Sequence, residues 1–139
     1  MSISSIRASI ETRFRDNWLG TSLDTNVRYT NVPFTPPLNE SWVSLDVFFA
    51  LSENRSINGD SISVRRNGTI AVRCYAPMDS GAGALAQLSD EVVSIFENAQ
   101  FDQIQCLSAD IQHVGQPNLQ GLDPRWYVYM VTIPFYRYE

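Results

Sequence analysis

The closing run Trp126-Tyr-Val-Tyr-Met-Val-Thr-Ile-Pro-Phe-Tyr-Arg137 is apolar or aromatic on both faces of the strand it would form. Side chains alternate along a strand, so one facing solvent on one side shows polar residues at every second position. This run does not, and it reads as a central or doubly covered strand. The rest of the chain must then supply strands beside it and a layer over it. The 139 residues are enough for one domain, 1–139, with a real core.

The covering layer is legible as two helical stripes. Ile3, Ile6, Ile10, Phe14 and Trp18 recur every three or four residues, with Arg7, Glu11, Arg13 and Arg15 off the stripe and Gly20 as a stop. Leu85, Leu88, Val92, Ile95 and Ala99 mark a second helix over about 81–99, with Asp79 or Ser80 as its cap. Between them, Trp42–Leu51 alternates. Val43, Leu45, Val47, Phe49 and Leu51 make a wholly apolar face, whereas Trp42, Ser44, Asp46, Phe48 and Ala50 make the other. A short strand is expected near Val27-Arg28-Tyr29, and a polar loop over 52–60. Asn67-Gly68 is a type I′ turn signal that predicts a hairpin of 61–66 with 69–76. Residues 103–113 read as a strand whose face switches between Cys106 and Leu107, as at a bulge, and 114–124 as a Gly/Pro/Asn loop. The expected class is α+β. An antiparallel or mixed sheet of about four to five strands carries two packed helices, in the order α-β-β-β-α-β-β.

Three of the seven prolines fall in Asn31-Val-Pro-Phe-Thr-Pro-Pro37. Proline fixes φ and has no backbone donor, and the residue before it is pushed toward extended conformations. The segment reads as a stiff connector that holds Phe34 in place, as a plug of the core edge or against a neighbour.

Composition narrows the function. The formal charge is −5, and every basic residue is an arginine. A net acidic chain lacks the basic density that phosphate contacts require, and Arg65-Arg66 is its sole arginine pair. Direct sequence-specific nucleic-acid binding is not expected. No apolar run approaches the ~20 residues of a membrane-spanning helix. The opening MSISSIRASIETRF has no signal-peptide core, which implies cytoplasmic synthesis. In that compartment Cys74 and Cys106 are expected as buried, reduced thiols, and the Asn-x-Ser/Thr matches at Asn39, Asn54 and Asn67 as chance.

Gly81-Ala-Gly83-Ala-Leu-Ala86 matches the dinucleotide fingerprint G-x-G-x-x-A. However, Pro77-Met-Asp-Ser80 separates it from the strand, Asp79 would repel a phosphate, and Asp102 precedes the next strand where an acid should end it. The glycines are better read as a small-residue helix start packed close to the sheet. His113 is the single histidine and is read as a surface or loop residue. No His, Cys and carboxylate group has metal-ligand spacing, and no carboxylate pair is poised for proton transfer. No catalytic residue, cofactor or metal is therefore expected. Trp126, Tyr127, Tyr129, Phe135, Tyr136 and Tyr138 lack the arginines of a base-stacking surface, and fit core plus subunit interface better.

Several stretches in order carry a resemblance. These are the first helix, Asn31–Pro37, the strand from Trp42, Cys74-Tyr-Ala-Pro77 before the Gly81/Gly83 loop and its helix, and Trp126–Tyr136. Together they resemble phage tail-terminator-like proteins over most of the chain. The resemblance implies a structural virion protein of the tail, assembled in the host cytoplasm, with no enzymatic activity. Its partners would be itself in a ring, commonly six-fold, the tail tube protein and a head completion or connector protein. The ring would stop tube polymerisation and offer a head-joining surface. Interface candidates are Arg28, Phe34, Arg65, Arg66 and Asn67. The alternatives are a head–tail connector, or, in another class, a nucleotide-binding enzyme using Gly81 and Gly83.

Overall fold

The computed structural model describes residues 3–18, 26–29, 40–58, 61–77, 83–115 and 126–138. Its elements are α1 (Ile3–Trp18), β1 (Asn26–Tyr29), β2 (Trp42–Phe49), β3 (Glu53–Asn58), β4 (Ser61–Pro77), α2 (Gly83–Phe96), β5 (Gln100–Phe101), β6 (Ile104–Cys106), β7 (Asp110–Gly115) and β8 (Trp126–Tyr138). The class is α+β as expected, but the described residues alone give a sheet of eight strands where about four to five were foreseen. It is mixed, because β1 runs parallel to β2 and the other pairs are antiparallel.

β8 is central. It pairs with β4 from Arg65↔Tyr138 to Pro77↔Trp126, and on its other side with β6 and β7. Its residues 127, 129, 131, 133 and 135 face the layer formed by both helices. Val131, Ile133 and Phe135 are buried there with Ile70, Val72 and Cys74 of β4 and Val43 and Leu45 of β2. α1 adds Ile6, Ile10, Phe14 and Trp18, one residue per turn, and α2 adds Leu85, Leu88, Val92, Ile95 and Phe96. Phe14 stacks on Trp18 and Phe96, at 5.0 and 6.0 Å between centroids. Ile3, the first residue of the predicted stripe, is exposed because it begins the helix and reaches past the core. Arg7 and Glu11 pair at 3.1 Å across one turn of the outer face.

The hairpin is not where Asn67-Gly68 placed it. Residues 61–77 are one strand, and the polar stretch read as a loop is β3, which folds back on β4 with Asn58 opposite Ser61. Gly68 lies mid-strand, opposite Phe49 on one side and Phe135 on the other. A Cβ there would sit 2.5 Å from Phe135 Cζ and 2.5 Å from the Phe48 carbonyl oxygen, so the glycine serves close packing. The core face of β2 also ends early. Val47 and Phe49 are half-buried, and Leu51, expected inside, is 89% exposed because the strand has ended before it.

After α2, Asn98 takes a left-handed φ of 54° that stops the helix. Asp102 and Gln103, at 47° and 67°, make the two-residue loop between β5 and β6. The single strand expected over 103–113 is two, β6 and β7, parted by residues 107–109. Cys74 and Cys106 are buried and free, as expected. β8 lies between their strands, with Cys74 opposite Tyr129 and Cys106 opposite Phe135. That offset far exceeds the ~7 Å limit between Cα atoms of a disulfide. Gly83 opens α2 exposed, with nothing within 4 Å of a Cβ built on it, so it does not pack close to the sheet. Gly20, Asp79, Ser80 and Gly81 lie outside the described residues.

Candidate interaction surface

Both helices lie on one face of the sheet, and the opposite face carries no helix among the described residues. That face grades along the strands. At the end where β8 begins, Trp42 stacks on Tyr75 at 3.8 Å between centroids, Trp126 meets Trp42 edge-on at 5.9 Å, and Val128 completes a small buried cluster. In the middle, Arg73 Nη1 contacts Asp46 Oδ2 at 3.1 Å. At the far end come Phe48, Thr69 and Pro134 in one row, Asn67 with Tyr136 in the next, and Arg65 with Tyr138 in the last. Phe48 is 52% and Tyr138 46% exposed. The Arg65 guanidinium lies 4.2 Å from the Tyr136 ring centroid, a cation–π contact, and Tyr136 meets Tyr138 edge-on. Aromatic and arginine side chains on a partly wet surface are the chemistry of protein interfaces.

Beyond this end the sheet narrows to an arm. β8 pairs as far as Tyr138, opposite Arg65, while β4 continues back to Ser61, paired among the described residues only with β3. Three polar contacts fasten the root of the arm. Ala50 N donates to the Asn67 carbonyl at 2.9 Å, Asn67 Nδ2 to the Leu51 carbonyl at 3.0 Å, and Arg66 Nη1 to Ser52 Oγ at 2.9 Å. They hold residues 50–52, where β2 gives way to β3. Asn67 and Arg66 thus have an architectural role that the turn reading hid.

The structure brings Arg65, Arg66 and Asn67 together at the arm root, although on alternate faces. Arg66 projects to the helix side, opposite the buried Arg137. Arg28 stands apart. It is half-buried on edge strand β1 and aligns through Ser44 with Arg73, eight positions from Arg65 along β4, which is roughly 26 Å at ~3.3 Å per residue. Phe34 lies outside the described residues. Sequence reasoning grouped Tyr138 with the core and interface aromatics but missed Phe48 and Leu51. The signal for Phe48 was present, since it is the one aromatic besides Trp42 on the β2 face opposite the core.

Among the described residues, no three His, Cys, Asp or Glu side chains gather as metal ligands. His113 is exposed on β7, between Tyr127 and Tyr129, and hydrogen-bonded with the Tyr127 hydroxyl. Burial pushes the Cys74 thiol up to about 12, against a smaller opposing effect of a hydrogen bond with Ser89, and Cys106 up to about 11, opposed by Arg13. Neither is a thiolate near neutral pH, so neither is a nucleophile. A cleft of about 300 Å³ by Arg137 is lined by Ser5, Ser9, Asp102 and Gln103, with the acid and the base facing the same space.

Nine solved chains match this one. One of them aligns with 100% of this chain and 96% of its own length, at 21% identity and a TM-score of 0.68, which establishes a shared fold. No curated protein matches. A family model described as phage tail terminator protein matches residues 5–135, from the first helix through the β8 strand that closes the core. This chain belongs to the phage tail terminator family.

Proposed function

We propose that this protein caps the tail tube. Copies of it form a six-fold ring on the head-proximal end, end tube polymerisation there, and offer the surface to which the head completion protein joins. The observation that carries this reading is the sheet face that bears no helix among the described residues, with its arm. Exposed Phe48, Leu51 and Tyr138 and the Arg65–Tyr136 pair are gathered at one end of the sheet. A cap must bind the last tube ring through one surface and lack the surface that would recruit the next. An asymmetric patch at one end of the sheet meets that requirement. The role is mechanical, so it calls for no cofactor and no reaction.

The test is a phage with a nonsense mutation in this gene. We expect tails of irregular, excessive length that fail to join heads. Tails of normal length that are merely unattached would transfer the protein to the connector role, and normal, joined tails would refute both. Arg65 and Arg66 tune the contact. Changing both to Glu is expected to weaken assembly in a salt-dependent way, because rim charges act through screened electrostatics. Both arginines also hold the arm root, Arg66 through Ser52 and Arg65 over the Tyr136 ring, so urea titration of the variant monomer accompanies the assembly measurement. Assembly at wild-type strength by that variant would remove the arginines from the interface.

A further inference from the structure

Of the strand edges that lack a partner strand among the described residues, two suit one another. The first is β7, which pairs along Asp110–Gly115 with β8 and with no strand on its other side. Edge strands invite pairing by a second chain unless lysine, proline or a cover blunts them. β7 carries no lysine or proline, and its Ile111 and Val114 are 51% and 44% exposed. The second is the arm, where β3 and Ser61–Val64 pair only with each other. A two-stranded ribbon is marginal alone in water, so an arm standing off its sheet gains order from an added strand. β3 and β7 are each six residues long. The charges are also complementary. Arg65 and Arg66 stand at the arm root, whereas β7 starts at exposed Asp110 next to Glu97, whose Oε2 accepts the Ala109 amide at 3.0 Å.

We propose that the arm of one copy adds to the sheet of the next, with Glu53–Asn58 of the second copy pairing along the free edge of β7. Main-chain hydrogen bonds would supply strength, with Ile111 and Val114 packing against the incoming strand. Arm and edge are different surfaces, so the contact is heterologous. Each copy gives one arm and receives one, and repetition propagates until it closes. For closure the inference rests on the proposed ring; the strand addition itself does not.

The experiment uses two variants of the full chain. Ile111→Lys/Val114→Lys blocks the edge and keeps the arm. Replacing residues 53–64 with Asn-Gly removes the arm and keeps the edge. By size-exclusion chromatography with light scattering, wild type should be multimeric and each variant monomeric, with circular dichroism showing a folded chain. An equimolar mixture should give a one-to-one dimer and nothing larger, since one intact arm then meets one intact edge. Should the armless variant fail to fold, Ser56→Cys/Gln112→Cys serves instead. Oxidation should cross-link it into a ladder between copies, with the buried native thiols silent. Wild type that stays monomeric at its highest soluble concentration, an edge variant that assembles like wild type, or a mixture that stays monomeric would each overturn the proposal. So would cross-links to tube subunits in place of this chain. Tail length in the nonsense phage is independent of all of these, so the pairing and the capping role fail separately.

Discussion

Gly68→Ala tests the central finding about β4, that residue 68 is inside a strand. In a strand Ala is favoured over Gly by about 0.5–1 kcal/mol, because Gly gives up more chain entropy. Packing opposes that gain. The new Cβ would lie 2.5 Å from Phe135 Cζ, 2.7 Å from Cε1 and 2.5 Å from the Phe48 carbonyl oxygen. Carbon contacts relax at about 3.5–4 Å, so the neighbours must retreat by roughly 1 Å. Phe135 has little room to do so, being buried and edge-on to Phe49 at 6.2 Å, and the Phe48 oxygen belongs to the backbone of the β2–β4 ladder. Overpacking of this kind costs about 1–3 kcal/mol. Net destabilisation should be about 1–2 kcal/mol, or a fall in Tm of several degrees. Urea denaturation should show a lower midpoint with an unchanged slope. Trimming the obstacle with Phe135→Leu should make the alanine less costly than it is in wild type. Asn67→Gly separates strand from turn: it should destabilise here, by loss of the Leu51 contact and of strand entropy, whereas a type I′ turn would accept it. A Gly68→Ala protein as stable as wild type would refute the packing argument.

Other outcomes follow from the core. Phe14→Ala should cost about 3–5 kcal/mol in denaturant titrations, because the ring is fully buried between Trp18 and Phe96. Stability should also fall above the ordinary thiol value of 9.0. From there to about 12 the unfolded chain has lost the Cys74 proton while the folded chain keeps it, so each pH unit removes up to about 1.4 kcal/mol. Below pH 9 both states hold the proton and the thiol contributes no slope. Cys74→Ala should flatten the decline measured in urea titrations between about pH 8 and pH 10, and an equally steep decline in that variant would assign it to other groups.

The sequence by itself determined the elements whose periodicity and burial agree. Ile6, Ile10, Phe14 and Trp18 fall on one helical face, Val43 and Leu45 on one strand face, and β8 is apolar at Val131, Ile133 and Phe135 under the helical layer and at Trp126 and Val128 in the small cluster on the other face. Those patterns are local, and each survives in whatever context buries it. Tertiary structure decided where the chain turns and which residues meet. The chain offers Asn-Gly at 58–59 and at 67–68, equal as local turn signals. A turn at the second would break the continuous pairing of β4 with β8 from residue 65 to 77, so the reversal falls between Asn58 and Ser61 instead. β3 looked like a loop because its sequence is polar and its strand conformation depends on pairing with β4. Leu51 is exposed because β2 ends at Phe49, and alternation cannot say where a strand stops. The candidate surface was half legible for the same reason. Arg65 and Arg66 stood out as a pair, but Phe48, Leu51 and Tyr138 join them only through the registry of β2, β4 and β8, which is a property of pairing between distant segments and of no one segment alone.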